Sequence, residues 1–117
     1  MDGNASFFKG NEMRFIIDID GVISKKESWS FTDSYERQTE MILAIEPNDI
    51  AIKKVNELYD KHTIILHTSR IWKDYDATVA WLKKHGVKYH TLIMAKPLGD
   101  YYVDDHNMSI KSFLKIT

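Results

Sequence analysis

The chain contains no cysteine, which excludes disulfide bonds and thiol catalysis and suits a reducing compartment such as the cytoplasm. No apolar run approaches the roughly 20 residues that a membrane-spanning helix needs. Residues 1–10 lack the basic start and apolar stretch of a signal peptide. A net charge of -1 offers no excess of positive charge for capturing nucleic acid. We therefore expect a cytoplasmic protein with neither a membrane nor a nucleic acid as its partner.

The size and composition are those of one small globular domain. The chain has 117 residues, of which 44% are hydrophobic and 28% are charged. This length is sufficient for one domain with a hydrophobic core and too short for two. We predict an N-terminal tail over residues 1–12 and a single domain over residues 13–117. Residues 24–46 show no clear hydrophobic period, so we interpret them as an excursion that contains a hairpin or a short helix.

Short apolar runs alternate with helical patterns along the rest of the chain. The runs predict four strands, at 13–19, 63–67, 91–95 and 101–103. Capping residues and apolar stripes predict helices over 49–61, from Asp74 or Asp76 to about 86, and over 109–115. This alternation predicts an α/β fold, a Rossmann-like three-layer arrangement around a small, mainly parallel sheet. Right-handed crossovers give the strand order 3-2-1-4, with strand one at the topological switch point.

Two carboxylates follow the first predicted strand, in the string Asp18-Ile19-Asp20-Gly21-Val22. Their spacing places both side chains on one side of an extended segment, just where the strand ends. Asp18 can accept a phosphoryl group as an aspartyl-phosphate. Asp20 can protonate the leaving oxygen and then deprotonate the attacking water. Ordinary turn chemistry is the alternative, because Asp and Gly are common after strands.

Asp104 and Asp105 follow the fourth predicted strand, and Lys96 follows the third. Two adjacent acids after an apolar run indicate a bound cation, and Mg²⁺ prefers oxygen ligands. Lys96 would neutralise Asp18 and hold a phosphate oxygen. A solvated turn and a surface lysine are the corresponding alternatives.

Thr68, Ser69 and Arg70 follow the second predicted strand. A hydroxyl group and backbone N–H groups at a strand-to-helix turn can donate hydrogen bonds to phosphate oxygens. Arg70 could bind a second group of the substrate. Ligands of open α/β sheets bind outside the carboxyl ends of the strands, so we expect all these residues to meet at one edge of the sheet.

Taken together, these motifs resemble those of the haloacid dehalogenase superfamily of phosphatases, over residues 13 to about 114. The resemblance implies Asp18 as the nucleophile, Asp20 as the general acid and base, and Thr68 and Lys96 as phosphate ligands. It also implies Mg²⁺ held by Asp18, the backbone carbonyl of Asp20 and Asp104, with Asp105 close by. More specifically, the chain resembles small capless members, in which a Lys-Pro, here Lys96-Pro97, precedes a Tyr-rich strand that ends in Asp-Asp. Neither usual insertion point leaves room for a cap domain, and the resemblance suggests a phosphorylated sugar as the substrate.

The expected function is therefore magnesium-dependent hydrolysis of a small phosphorylated metabolite. One alternative is a non-catalytic phospho-acceptor or regulatory module of the same fold, and another is a phosphatase that acts on a macromolecular phosphate. A chain without a cap must cover its site in another way. Trp29, Phe31 and Tyr35 of the excursion would serve as a flap or as a contact with a second copy, so we predict a homo-oligomer.

Overall fold

The structure is a computed structural model that describes residues 12–25 and 34–117. Its strands are β1 (Arg14–Asp18), β2 (Thr63–His67) and β3 (Thr91–Ile93). Its helices are α1 (Tyr35–Leu43), α2 (Asp49–Tyr59), α3 (Tyr75–Lys84) and α4 (Ile110–Leu114), and a 3₁₀ turn (Trp72–Asp74) precedes α3. The described ranges form one α/β unit without a cap domain.

The three strands form one parallel sheet in the order β1-β2-β3. Asp18 pairs with His67, and His67 pairs with Ile93, so the carboxyl ends of the strands are level with one another. Both connections cross in the same direction along the sheet, as right-handed βαβ units require. The polar residues that follow the strands therefore emerge at one edge.

The core lies on one face of the sheet. Ile17, Ile64 and Leu66 point to this face and pack against the apolar stripes of the helices. Trp81 of α3 is fully buried, and its indole N–H donates to the carbonyl of Ile45 over 2.8 Å. This bond satisfies the polar atom of a core tryptophan and attaches α3 to the segment before α2.

The opposite face of the sheet is exposed at the two outer strands, β1 and β3. Ile16 of β1 is 62% exposed and Ile93 of β3 is 47% exposed. Parallel sheets are usually covered on both faces. In the described ranges the helices cover one face only, so the predicted third layer is not formed there.

Residues 101–103 form no strand, in contrast to the prediction, and the described sheet has three strands rather than four. Tyr101 is 89% exposed and Val103 is 100% exposed. An apolar run becomes a strand only when it pairs with a neighbour, and in this structure the run lies away from the free edge of β1.

The excursion contains helix α1, one of the two structures that we expected there. Ser34 caps it by accepting a hydrogen bond from the N–H of Arg37 over 3.2 Å. Trp29 and Phe31, like most of the predicted N-terminal tail, lie outside the described residues. The homo-oligomer that they suggested stays a prediction. None of the described helices is long and apolar enough to cross a membrane.

Candidate functional site

A cavity of about 430 Å³ opens at the carboxyl edge of the sheet. Six of the eight residues that the sequence indicated line it, namely Asp18, Asp20, Thr68, Ser69, Arg70 and Lys96. They come from the ends of all three strands, because the strand register levels those ends. The volume is in the range of small-molecule sites.

Asp18 is held by two nitrogen donors. The Lys96 ammonium contacts its Oδ1 atom, and Nε2 of His67 lies 2.6 Å from the same oxygen. The Asp18 side chain remains 37% exposed, whereas that of Lys96 is 13% exposed. In the described ranges, no hydrogen bond reaches Oδ2 of Asp18. One carboxylate oxygen is therefore fixed by cationic and polar partners, and the other is available for reaction.

His67 is a neutral partner of Asp18 near physiological pH. Its burial lowers the pKa of the imidazole, and the positive charge of Lys96 lowers it further, which together outweigh the opposing effect of Asp18. A neutral imidazole protonated at Nε2 can donate its hydrogen to the carboxylate. The contact is then a hydrogen bond that orients Asp18, and Lys96 supplies the positive charge.

Asp20 is held by two donors of its own. Thr68 Oγ1 donates to Asp20 Oδ2 over 2.8 Å, and Arg70 Nη2 donates to Asp20 Oδ1 over 2.8 Å. The Arg70 side chain is only 4% exposed, and its Nη1 atom donates to Thr78 Oγ1 over 3.0 Å. Arg70 therefore binds the second aspartate and helix α3 in this structure. Its predicted contact with a group of the substrate stays a prediction.

Backbone hydrogen bonds join the two loops that follow β2 and β3. The N–H of Thr68 donates to the carbonyl of Ile93, and the N–H of Lys96 donates to the carbonyl of Thr68, each over 3.0 Å. The N–H of Ala95 donates to the carbonyl of Arg70 over 2.8 Å. Ala95 adopts a φ of 59°, a left-handed conformation that a non-glycine residue rarely takes. These three bonds fix the position of Lys96 relative to Thr68.

Asp104 and Asp105 do not join the cavity in this structure. The backbone N–H of His106 donates to Asp104 Oδ1 over 2.7 Å, and the Asp105 side chain is 93% exposed. The described residues contain no group of three or more acids and histidines close enough to share a metal ion. The expected metal ligands therefore remain in two separate places, because residues 101–103 do not pair with β1.

Six of the twelve residues that line the cavity are not among the candidates that the sequence indicates, and His67 and Asp74 are two of these six. His67 is the last residue of β2. Its position directly opposite Asp18 follows from the pairing of the strand ends and could have been found from that register. Asp74 was interpreted as a helix cap, but its side chain makes no capping hydrogen bond and lines the cavity instead. No sequence pattern indicates this orientation.

Comparisons with known proteins support the fold. No family model and no curated protein matches the chain. The crystal structure of an MCSG target from Vibrio cholerae is similar, with a TM-score of 0.65, 21% identity and coverage of 89% of both chains. A chain of the Pnkp1/Rnl/Hen1 complex has a TM-score of 0.50 and 22% identity over 81% of this chain. This chain spans 32% of that one. At such identities, the likeness extends to the fold alone.

Proposed function

We propose that this protein is a magnesium-dependent phosphomonoesterase of the haloacid dehalogenase type. The observation that carries the proposal is the meeting of Asp18 and Asp20 with Thr68 and Lys96 in one cavity. A nucleophile, a proton-transfer group and a cation are what phosphoryl transfer through a covalent intermediate requires. The substrate class is a small phosphorylated metabolite such as a sugar phosphate, which the size of the cavity supports.

The reaction proceeds in two displacements. In the first, the free oxygen of Asp18 attacks phosphorus and the bond to the ester oxygen breaks, while Asp20 gives its proton to that oxygen and an alcohol leaves. In the second, Asp20 takes a proton from water, and the water oxygen attacks the phosphorus of the aspartyl-phosphate. The Asp18 carboxylate and inorganic phosphate are then released. Lys96 offsets negative charge throughout, from its position on Asp18.

Thr68 and Arg70 orient the proton-transfer group in this scheme. Both donate to Asp20, one to each oxygen, so the carboxyl group is held in a single orientation. Proton transfer depends on geometry first, and a fixed carboxyl group reaches the leaving oxygen and the water from one position.

Magnesium, when bound, would offset the charge of the transferring phosphoryl group. Asp18, the carbonyl of Asp20 and Asp104 are the proposed ligands, with Asp105 nearby. The described arrangement fits this set only in part, because Asp104 and Asp105 are exposed and outside the cavity.

We propose a fourth strand in the sheet, which would bring Asp104 closer to the other proposed magnesium ligands. Residues 101–103 would pair with the free edge of β1 as a fourth strand, which gives the order 3-2-1-4. Two observations support it: β1 ends the described sheet, and the run from Tyr101 to Val103 exposes apolar side chains that a strand pair would cover. Parallel pairing in this place would carry Asp104 toward Asp18. Backbone hydrogen exchange measured with and without Mg²⁺ tests it, because pairing protects the N–H groups of residues 101–103.

Steady phosphate release from an aryl phosphate tests the proposed function. We expect turnover with Mg²⁺, loss of turnover on chelation and recovery when Mg²⁺ is restored. Asp18→Asn should abolish turnover, since an amide oxygen does not form the aspartyl-phosphate. Near-normal kcat in that variant, or turnover by the unaltered protein without metal, would contradict the mechanism.

The exposure of Asp104 and Asp105 favours a second candidate, a phospho-acceptor module that is phosphorylated on Asp18 without turnover. Acetyl phosphate separates the two functions. A module of this kind would take up one equivalent of phosphoryl group and retain it, whereas an enzyme would release phosphate continuously.

A further inference from the structure

Tyr102 lines the cavity and contacts its cation. The ammonium of Lys96 lies over the ring of Tyr102, with Nζ 4.4 Å from the ring centroid. At this distance the negative face of an aromatic ring attracts a cation. The same ammonium contacts Oδ1 of Asp18. Lys96 therefore has two partners of different kinds, a carboxylate and an aromatic ring.

The hydroxyl group of Tyr102 fixes the position of this ring. It donates to the carbonyl of Pro97 over 2.9 Å and accepts a hydrogen bond from the N–H of Gly99 over 3.0 Å. Pro97 directly follows Lys96 in the chain. The ring is thus attached to the stretch of backbone that carries the lysine. Both hydrogen bonds use the side chain of Tyr102, so they do not occupy the main-chain groups of the proposed fourth strand.

The charge partner of Lys96 changes during the proposed reaction. The ammonium is carried on a flexible four-carbon stem, which loses conformational freedom when it is held in one place. When the free oxygen of Asp18 bonds to phosphorus, the carboxylate becomes part of an acyl phosphate and loses its negative charge. The attraction between Lys96 and Asp18 is then weaker until water releases the phosphate. The Tyr102 ring takes no part in this chemistry, so its attraction for the ammonium persists through both displacements.

We propose that Tyr102 is a positioning residue, whose ring holds the Lys96 ammonium at the reacting groups and whose hydroxyl group holds the ring. This inference rests on the proposed function. The Lys96 side chain is 13% exposed, whereas Tyr102 is 50% exposed, which is the arrangement of a ring that covers an ammonium at the rim of a cavity. Because Tyr102 acts through Lys96, its effect should not depend on the leaving group.

Two replacements of Tyr102 separate the ring from the hydroxyl group. Tyr102→Leu removes both, and we expect kcat/KM to fall about 5- to 30-fold, the worth of a contact between an aromatic ring and a partly buried cation. Tyr102→Phe keeps the ring and loses two half-exposed hydrogen bonds, so kcat/KM should fall by less than about threefold. Tyr101→Leu is the matched control. It removes the neighbouring tyrosine, which is 89% exposed, and should leave kcat/KM unchanged.

Two substrates distinguish positioning of Lys96 from direct contact with the substrate. In Tyr102→Leu, kcat/KM should fall by the same factor for phenyl phosphate and n-butyl phosphate, because Lys96 acts on the phosphoryl group that both esters share. A larger loss for phenyl phosphate would assign the ring to the leaving group and overturn the positioning role. An equal loss in Tyr102→Phe and Tyr102→Leu, or no loss in either variant, also overturns it, since the ring would then have no effect of its own.

The reactivity of Lys96 tests the inference without turnover. Brief treatment with acetic anhydride, followed by mass spectrometry of the peptides, gives the acetylation rate of Lys96 relative to that of the exposed Lys53. This ratio should rise at least about fivefold in Tyr102→Leu and change by less than about twofold in Tyr102→Phe and Tyr101→Leu, because only the first variant uncovers the ammonium.

The labelling result separates the two levels of the proposal. An unchanged ratio in Tyr102→Leu overturns the positioning role, whatever the kinetics show. If no ester is hydrolysed but the ratio rises as expected, the position of Lys96 depends on Tyr102, and the failure belongs to the proposed function alone.

Discussion

Two interpretations of the cavity differ most in the role of Arg70, so the replacement of this residue by methionine is the most informative single change. If Arg70 binds the substrate, its loss should raise KM. If Arg70 is the partner of Asp20, its loss should lower the stability of the fold and kcat. The structure favours the second interpretation, because two of the guanidinium nitrogens of Arg70 donate to Asp20 and Thr78 over 2.8 and 3.0 Å.

The expected loss of stability follows from these contacts. Removal of one partner from a buried ion pair costs roughly 3–5 kcal/mol. The Asp20 side chain is 35% exposed and can be hydrated after the change, so we reduce this cost to about 2 kcal/mol. The buried Thr78 hydroxyl loses its donor at a cost of about 1 kcal/mol. Arg70→Met should therefore lower the free energy of unfolding by about 3 kcal/mol, as measured by urea denaturation.

The kinetic effect should fall on kcat. Asp20 would keep the Thr68 hydrogen bond and lose the arginine, so its carboxyl group would be less well oriented for proton transfer. We expect kcat to fall about 10- to 100-fold, a part of the 10²–10⁴ that general acid–base catalysis contributes. Thr78→Val is the matched control, because it removes only the hydrogen bond between Arg70 and Thr78. It should lower the free energy of unfolding by about 1 kcal/mol and leave kcat unchanged. A raised KM with normal kcat in Arg70→Met would refute this reasoning and assign the guanidinium to the substrate.

Three further changes test other parts of the structure. Asp20→Asn should lower kcat by about 10²–10⁴, and less for aryl than for alkyl phosphates, because good leaving groups need less protonation; an equal loss for both would contradict the leaving-group role. Asp104→Ala should raise the Mg²⁺ concentration for half-maximal activity by at least about tenfold, while an unchanged magnesium titration would exclude this residue from the metal site. Trp81→Phe should lower the free energy of unfolding by about 1–3 kcal/mol, because the core loses volume and the Ile45 carbonyl loses its donor. A change below about 0.5 kcal/mol would show that the core adapts to the smaller ring.

The sequence was informative about the fold where local and tertiary signals agree. Strand β2 covers 63–67 as predicted, and α2 begins directly after its capping residue Asn48. The run at 101–103 has strand propensity as well, but pairing with β1 is a tertiary event that a local pattern does not determine. The sequence does not decide between a hairpin and a short helix at α1, because the two buried residues of this helix, Gln38 and Ile42, give too weak an apolar stripe.

For the candidate site, the sequence could predict proximity but not orientation. Level strand ends in a parallel sheet bring Asp18, Thr68 and Lys96 together, and the residue order is sufficient to show this. The direction of a long side chain depends on partners that are distant in the sequence. Arg70 therefore turns to Asp20, 50 residues away, and Asp74 turns from the helix backbone to the cavity.

The backbone bonds between the loops after β2 and β3 have a consequence for how the site can change. Thr68 and Lys96 owe their relative position to main-chain groups, which every residue type except proline possesses. Substitution of the Lys96 side chain should therefore alter the chemistry at the cavity without moving the backbone that presents it, whereas Thr68 is fully buried and its hydroxyl also accepts a hydrogen bond from the N–H of Arg70 over 3.2 Å. Random mutagenesis at position 96 should yield mostly folded proteins, and this position is the natural starting point for directing the same scaffold to other reactions.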